Sequence, residues 1–157
     1  MLLLRLAAPL FALMLMGASP PAANVYVMRH LQKGAGSDPS LTAEGAANAR
    51  RLADWFAKND PPAAIFVSTA RRAQETAAPL ADLIDVEPTV YDPRDSRALV
   101  EMVRQEEGTV LIVGHSNTVP EIVALLGGKR PADIAEDRFG DIYRVRGGVV
   151  TKMVVGE

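Results

Sequence analysis

At 157 residues, with 48% hydrophobic and 23% charged residues, the chain has the size and composition of one globular domain with a single substantial core. Its formal net charge is -2; residues 1–23 hold one basic residue and no acid, so the remainder carries 16 Lys+Arg against 19 Asp+Glu. A mildly acidic body has no general electrostatic attraction for nucleic acid or anionic membrane. The absence of cysteine excludes disulfides, thiolate metal sites, a cysteine nucleophile and a lipid-attachment thiol.

Residues 1–23 read as a secretory signal. Arg5 lies near the start, an apolar run covers residues 6–16, and small residues and prolines close the stretch. The run is short for a membrane span, so an uncleaved leader is the one membrane contact to consider. Export implies a periplasmic or secreted protein, with one domain over residues 24–157.

Within that domain, strand-like and helix-like stretches alternate. Residues 24–28 are rich in β-branched side chains and predict a strand. Residues 41–58 form an amphipathic helix: Thr42 caps it, Glu44 favours its first turn, and Ala49, Leu52, Ala53 and Phe56 share a face. Pro61-Pro62 ends that segment, and residues 63–67 give a second strand. A second helix is expected over 70–83, with Pro79 predicting a kink or early break. A short strand follows at 89–91, then a helix capped by Asp95 running to about residue 106. Residues 109–113 are continuously apolar, as in a strand buried on both faces. Asn117 opens a further helix ending at Gly127-Gly128, and strands at 141–145 and 149–155 flank the hairpin turn Arg146-Gly147-Gly148. Strands spaced by helices predict an α/β fold, a three-layer α/β/α sandwich whose sheet is mostly parallel with an antiparallel closing hairpin.

The chain has two histidines, and each closes a predicted strand: Arg29-His30 after the first, Gly114-His115 after the apolar one. In parallel α/β sheets sites form at strand C-termini, so one crevice can receive both imidazoles. Ser68-Thr69-Ala70-Arg71-Arg72-Ala73-Gln74-Glu75-Thr76-Ala77 joins the second strand to its helix and brings guanidinium groups to the same edge. A guanidinium keeps its charge and offers a planar fork of donors, and helix N-termini add N–H groups, so the constellation describes an anion hole suited to phosphate. Thr42 and Ser68 are more ordinary as caps or turn formers. Ser116 follows its histidine with no acid placed beside it, and Trp55, Phe56 and Met102 read as packing residues.

The order strand-Arg-His, Leu-Thr-x-x-Gly, Ser-x-x-x-Arg-Ala-x-x-Thr-Ala and Gly-His-Ser-Asn resembles the histidine phosphatase superfamily, with its phosphoglycerate-mutase-like fold. The resemblance covers residues 24–157 and implies a phosphohistidine mechanism with no metal or other cofactor. By position it makes His30 the nucleophile, His115 the second histidine donating to the phosphoryl oxygens, and Arg29 and Arg72 the phosphate-binding pair, with Arg71 facing solvent. Two arginines and a histidinium would then supply the charge that a metal gives elsewhere. The family's general acid falls between Arg72 and His115, where Asp92 and Asp95 compete. Asp92 is favoured, because Asp95 already has a capping role, and Glu101 lies further down the helix.

Leu31-Gln32-Lys33 departs from the family, in which a small residue and then a glutamate commonly follow the Arg-His pair. Gly114 comes only 38 positions after Thr76, leaving no room for a substrate-covering insertion. The expected activity is that of an acid-type histidine phosphatase hydrolysing phosphomonoesters, with a phosphorylated small molecule or an exposed phosphoprotein as substrate. The alternatives are a protein phosphohistidine phosphatase and a non-catalytic phosphate-binding domain. The sequence specifies no oligomeric state.

Overall fold

The computed structural model describes residues 24–155, so the expected leader lies outside it. Six strands, β1 (Val25–Arg29), β2 (Ala64–Ser68), β3 (Thr89–Tyr91), β4 (Val110–Gly114), β5 (Asp141–Arg146) and β6 (Val149–Val154), form one sheet ordered β3-β2-β4-β1-β5-β6. The first four are parallel, and the β5–β6 hairpin adds antiparallel to β1. The helices are α1 (Ala43–Asn59), α2 (Arg71–Ile84), α3 (Ser96–Val103) and α4 (Val119–Leu125).

Alternation along the central strands sorts the core into two layers. Tyr26 and Met28 of β1 face α1 and α2, meeting Leu52, Phe56, Ala77 and Leu80. Val25 and Val27 face α3 and α4, meeting Leu99, Val103, Val119 and Ile122. β4 lies between β1 and β2 and contributes Leu111 and Val113 to one layer, Val110 and Ile112 to the other, which is why its sequence is continuously apolar. The result is the expected three-layer sandwich.

β1 and β4 are neighbours, yet their chains leave on opposite faces, β1 into α1 and β4 into α4. A crevice opens where such connections diverge, and it lies outside the carboxyl ends of these two strands.

Local departures have simple causes. Strands β1, β2 and β4 each extend one residue beyond the apolar run, because their ladders continue through Arg29, Ser68 and Gly114. Pro79 sits inside α2 without ending it: the helix runs 14 residues, its apolar face locked onto the core by Ala73, Ala77 and Leu80. Met102 is 37% exposed on the outer side of α3 rather than part of the core.

Candidate active site

Parallel register fixes the two histidines at one height. Arg29 pairs with Gly114, so the next residues, His30 and His115, emerge side by side, and the His30 N–H donates to the Gly114 carbonyl at 2.9 Å. Their ring centroids are 5.4 Å apart. Gly114 is required here: a Cβ would stand 2.8 Å from Thr118 Oγ1 and 2.9 Å from the Tyr91 hydroxyl.

His30 is 2% exposed. Its Nδ1 lies 2.8 Å from the Leu31 carbonyl, which can only accept, so Nδ1 carries the proton and Nε2 keeps its lone pair. That carbonyl is itself anchored. The Leu31 N–H donates to Thr76 Oγ1 at 3.0 Å, the Thr76 hydroxyl donates to the Arg72 carbonyl at 2.7 Å, and the Leu31 side chain is fully buried in the core. Leu31 is thus the fixed point that orients the histidine, and Thr76 ties it to the start of α2. Burial in the first place, then the neighbouring His115, Arg29 and Arg72, push the His30 pKa down to about 4.

His115 is oriented by two partners. Its Nδ1 lies 3.5 Å from Arg72 Nη2, and a guanidinium has no lone pair to offer, so Nδ1 accepts. Nε2 then holds the proton and donates to Ser68 Oγ at 2.8 Å. Burial, then Arg72 and Arg29, lower its pKa to about 4 as well. His115 is therefore a neutral imidazole near neutral pH rather than the expected histidinium. Its Nδ1 faces Arg72, where an arriving dianion would favour a second proton.

Arg29 is nearly buried and held from behind by the α4–β5 loop. Nη1 donates to the carbonyls of Ala135 (2.9 Å), Glu136 (3.0 Å) and Arg138 (2.9 Å), and the guanidinium stacks 4.2 Å from the centre of the Phe139 ring. Nη2 meets Glu136 Oε2 at 3.4 Å. Arg72 contacts Asp38 Oδ1 at 3.6 Å through Nη1. The Nε of each arginine is buried with no hydrogen-bond partner, leaving one donor on each guanidinium unused. An unsatisfied buried N–H is costly, and two beside a pair of imidazoles mark a place for an anion.

Asp92 behaves differently from the expectation that named it. It is exposed at the end of β3, and Arg94 clamps both its oxygens, with contacts of 2.7–3.2 Å. The hydrogen bonds from Arg94 push its pKa down to about 2, so in this arrangement it carries no proton to donate. Asp95 accepts from the Ala98 N–H at 2.9 Å as the α3 cap, and Glu101 is ion-paired with Arg104. Gln32 is tied to Glu44 and Asn48 of α1, and the Lys33 backbone bridges to Leu41. Arg71 is exposed, as expected.

The motif Leu41-Thr42-x-x-Gly45 is a coupling between α1 and the loop behind His30. Thr42 Oγ1 accepts from the Gly45 N–H at 3.1 Å, while the Thr42 N–H donates to the Gln32 carbonyl at 2.9 Å. A Cβ on Gly45 would lie 2.2 Å from that same carbonyl oxygen. Three contributors escaped the sequence reading. Ser68 reads locally as a turn former, Thr76 lies in a motif that gives it no role, and the 135–139 loop is 107 positions in sequence from the Arg29 it holds. The acidic pair Glu136-Asp137 before Phe139 was the available signal. Among the described residues no group of three or more His, Cys, Asp or Glu is placed to hold a metal ion.

Sequence and fold comparisons agree with this geometry. The profile of the histidine phosphatase superfamily (branch 1) matches residues 25–94, which include Arg29, His30 and Arg72. A stretch of 52 residues is 46% identical to the PE-PGRS family protein PE_PGRS11 of Mycobacterium tuberculosis; it covers 33% of this chain and only 9% of that protein. The fold is similar to that of the protein histidine phosphatase SixA complexed with tungstate (TM-score 0.64, 23% identity, 83% of this chain and 96% of that one). It is also similar to mycobacterial glucosyl-3-phosphoglycerate phosphatase (TM-score 0.62, 15% identity, 78% and 89%). A third similar fold is that of a phosphoserine phosphatase from Entamoeba histolytica in complex with phosphoserine (TM-score 0.63, 14% identity, 85% and 96%). Over residues 25–94, with the motifs in order and both histidines at one sheet edge, the chain thus resembles the histidine phosphatase superfamily (branch 1).

Proposed function

We propose that the protein is a metal-independent phosphomonoester phosphatase that works through a phosphohistidine on His30. The observation that carries this is the free lone pair of His30 Nε2, set beside His115 and two arginines that each have an unused buried N–H. Phosphoryl transfer asks little else of a protein than an in-line nucleophile and fixed positive charge around the equatorial oxygens. Arg29, Arg72 and His115 are assigned the oxygens. Nε2 forms the N–P bond as the ester P–O bond breaks, and water then attacks phosphorus, returning the electron pair to Nε2 and releasing phosphate.

The low pKa of His30 supports acid-type behaviour, since a nucleophile neutral down to about pH 4 stays competent where an ordinary histidine is protonated. A second reading, turnover of phosphohistidine on a protein, is favoured by the Arg94 clamp on Asp92. A protonated imidazole leaves without a proton from the enzyme, whereas an alkoxide does not. The residues 1–23 pattern supports export, which mass spectrometry of the N-terminus of protein recovered from the cell envelope tests.

The test is hydrolysis of p-nitrophenyl phosphate by the purified chain in excess chelator, with base-quenched samples probed for phosphohistidine. Turnover lost in His30→Ala, with the phosphoryl group found on His30 in the parent, supports the proposal. Tight phosphate binding with neither turnover nor phosphohistidine would mean a binding domain.

A further inference from the structure

Resting on that phosphatase reading, we infer that Glu136, on the α4–β5 loop, is the residue that passes the proton to the leaving oxygen and takes one from the attacking water. The argument begins with direction. His30 is buried, so an in-line displacement by its Nε2 drives the leaving group outward, toward the mouth of the pocket. Glu136 stands at that mouth: its side chain is 85% exposed while the Arg29 side chain it touches is 4% exposed.

Glu136 spans the site. Oε2 meets Arg29 Nη2 at 3.4 Å, and Oε1 accepts from Ser116 Oγ at 3.3 Å. Ser116 follows His115 and lines a polar cleft of about 350 Å³ with Asn117, Arg130, Asp133 and Ile134, which offers room for a leaving group. Both contacts are long, so the carboxyl is guided without being locked. Its loop is fixed nonetheless, because three of the loop's carbonyls hold Arg29 and the Phe139 ring lies 6.0 Å from that of His30.

Asp92 and Asp38 are occupied elsewhere. Asp92 is clamped by Arg94. Asp38 touches Arg72, but the same oxygen accepts the Arg71 N–H at 2.9 Å, which gives it a fixed structural role at the start of α2.

The steps balance. As Nε2 bonds to phosphorus and the P–O bond breaks, the electron pair goes to the leaving oxygen, which takes the proton of the Glu136 carboxylic acid. In the second half the Glu136 carboxylate takes a proton from water, whose oxygen bonds to phosphorus while the N–P pair returns to His30.

Leaving-group dependence tests this. A p-nitrophenolate departs without help, whereas an alkoxide needs a proton. Glu136→Gln preserves shape and the contact with Arg29, and on an alkyl phosphate it is expected to lose about 100-fold in kcat, within the range for general acid–base catalysis. On p-nitrophenyl phosphate the loss should be markedly smaller, below about tenfold. Asp92→Asn should keep the parent's ratio between the two substrates. Equal losses on both substrates in Glu136→Gln, no loss on either, or a ratio change that appears in Asp92→Asn instead would each overturn the assignment. Failure of the parent to hydrolyse either substrate is a separate result that would sink the phosphatase reading itself.

Discussion

A proton on Nδ1 of His30 is fixed by the Leu31 carbonyl, and that carbonyl is in turn fixed by Thr76. Replacing Thr76 with valine keeps the volume but leaves the buried Leu31 N–H without its acceptor. The expected cost is about 1–3 kcal/mol in urea unfolding. If His30 is the nucleophile proposed above, kcat should fall more than KM rises, because the orientation of its ring is disturbed while Arg29 and Arg72 are retained. A Thr76→Val protein with parental stability and kcat would show that this chain of bonds is idle. The two histidines also make stability depend on pH. Each has an ordinary value of 6.5 and a folded value of about 4, so between those limits the unfolded chain binds protons that the folded chain does not. Unfolding then takes up protons, and stability falls as the pH is lowered from 6.5 toward 4. Thermal midpoints across that window should show a shallower slope for His30→Gln than for the parent; identical slopes would mean that His30 is not held neutral.

The elements are coupled to the site by close backbone approach. Residue 45 touches nothing that reacts, yet its Cα lies against the carbonyl of Gln32, two residues from His30, and a methyl group there would sit 2.2 Å from oxygen. Gly45→Ala should therefore destabilise the fold by about 1–3 kcal/mol despite the higher helix propensity of alanine. Circular dichroism during urea unfolding measures this. If Gly45→Ala proves more stable than the parent, α1 can shift away from the loop and the coupling proposed for this motif is wrong. α2 shows the same dominance of packing over local preference. Pro79 forfeits a backbone donor in mid-helix, but Ala73, Ala77 and Leu80 hold one continuous face against β2 and β4, and the helix persists.

On the scale of the whole molecule, the sheet order makes the site. β1 and β4 are separated in sequence by two helix–strand units and adjacent in space, and their exits to opposite faces open the crevice above them. The two unused guanidinium donors collected there predict that inorganic phosphate stabilises the fold by RT ln(1 + [L]/Kd), or about 2.7 kcal/mol at a concentration of 100 Kd. Arg72→Ala should lose most of this shift, and excess chelator should leave it intact. A phosphate shift of equal size in Arg72→Ala would place the anion elsewhere. None of the described helices is long and apolar enough to cross a membrane.

Much of this was legible in the chain itself, because patterns of local cause are written locally. Hydrophobic periodicity marked the strands and α1, Thr42 and Asp95 announced their caps, and strand-final Arg29-His30 and Gly114-His115 foretold two imidazoles at one sheet edge. Tertiary structure decided what depends on distant neighbours. Burial, then Arg72 and Arg29, turned His115 from the expected cation into a neutral imidazole. The loop carrying Glu136 reached Arg29 only through the crossing of the sheet. The charge state of His115 is set by desolvation and by Arg72 and Arg29, both far along the chain, and no short motif encodes it.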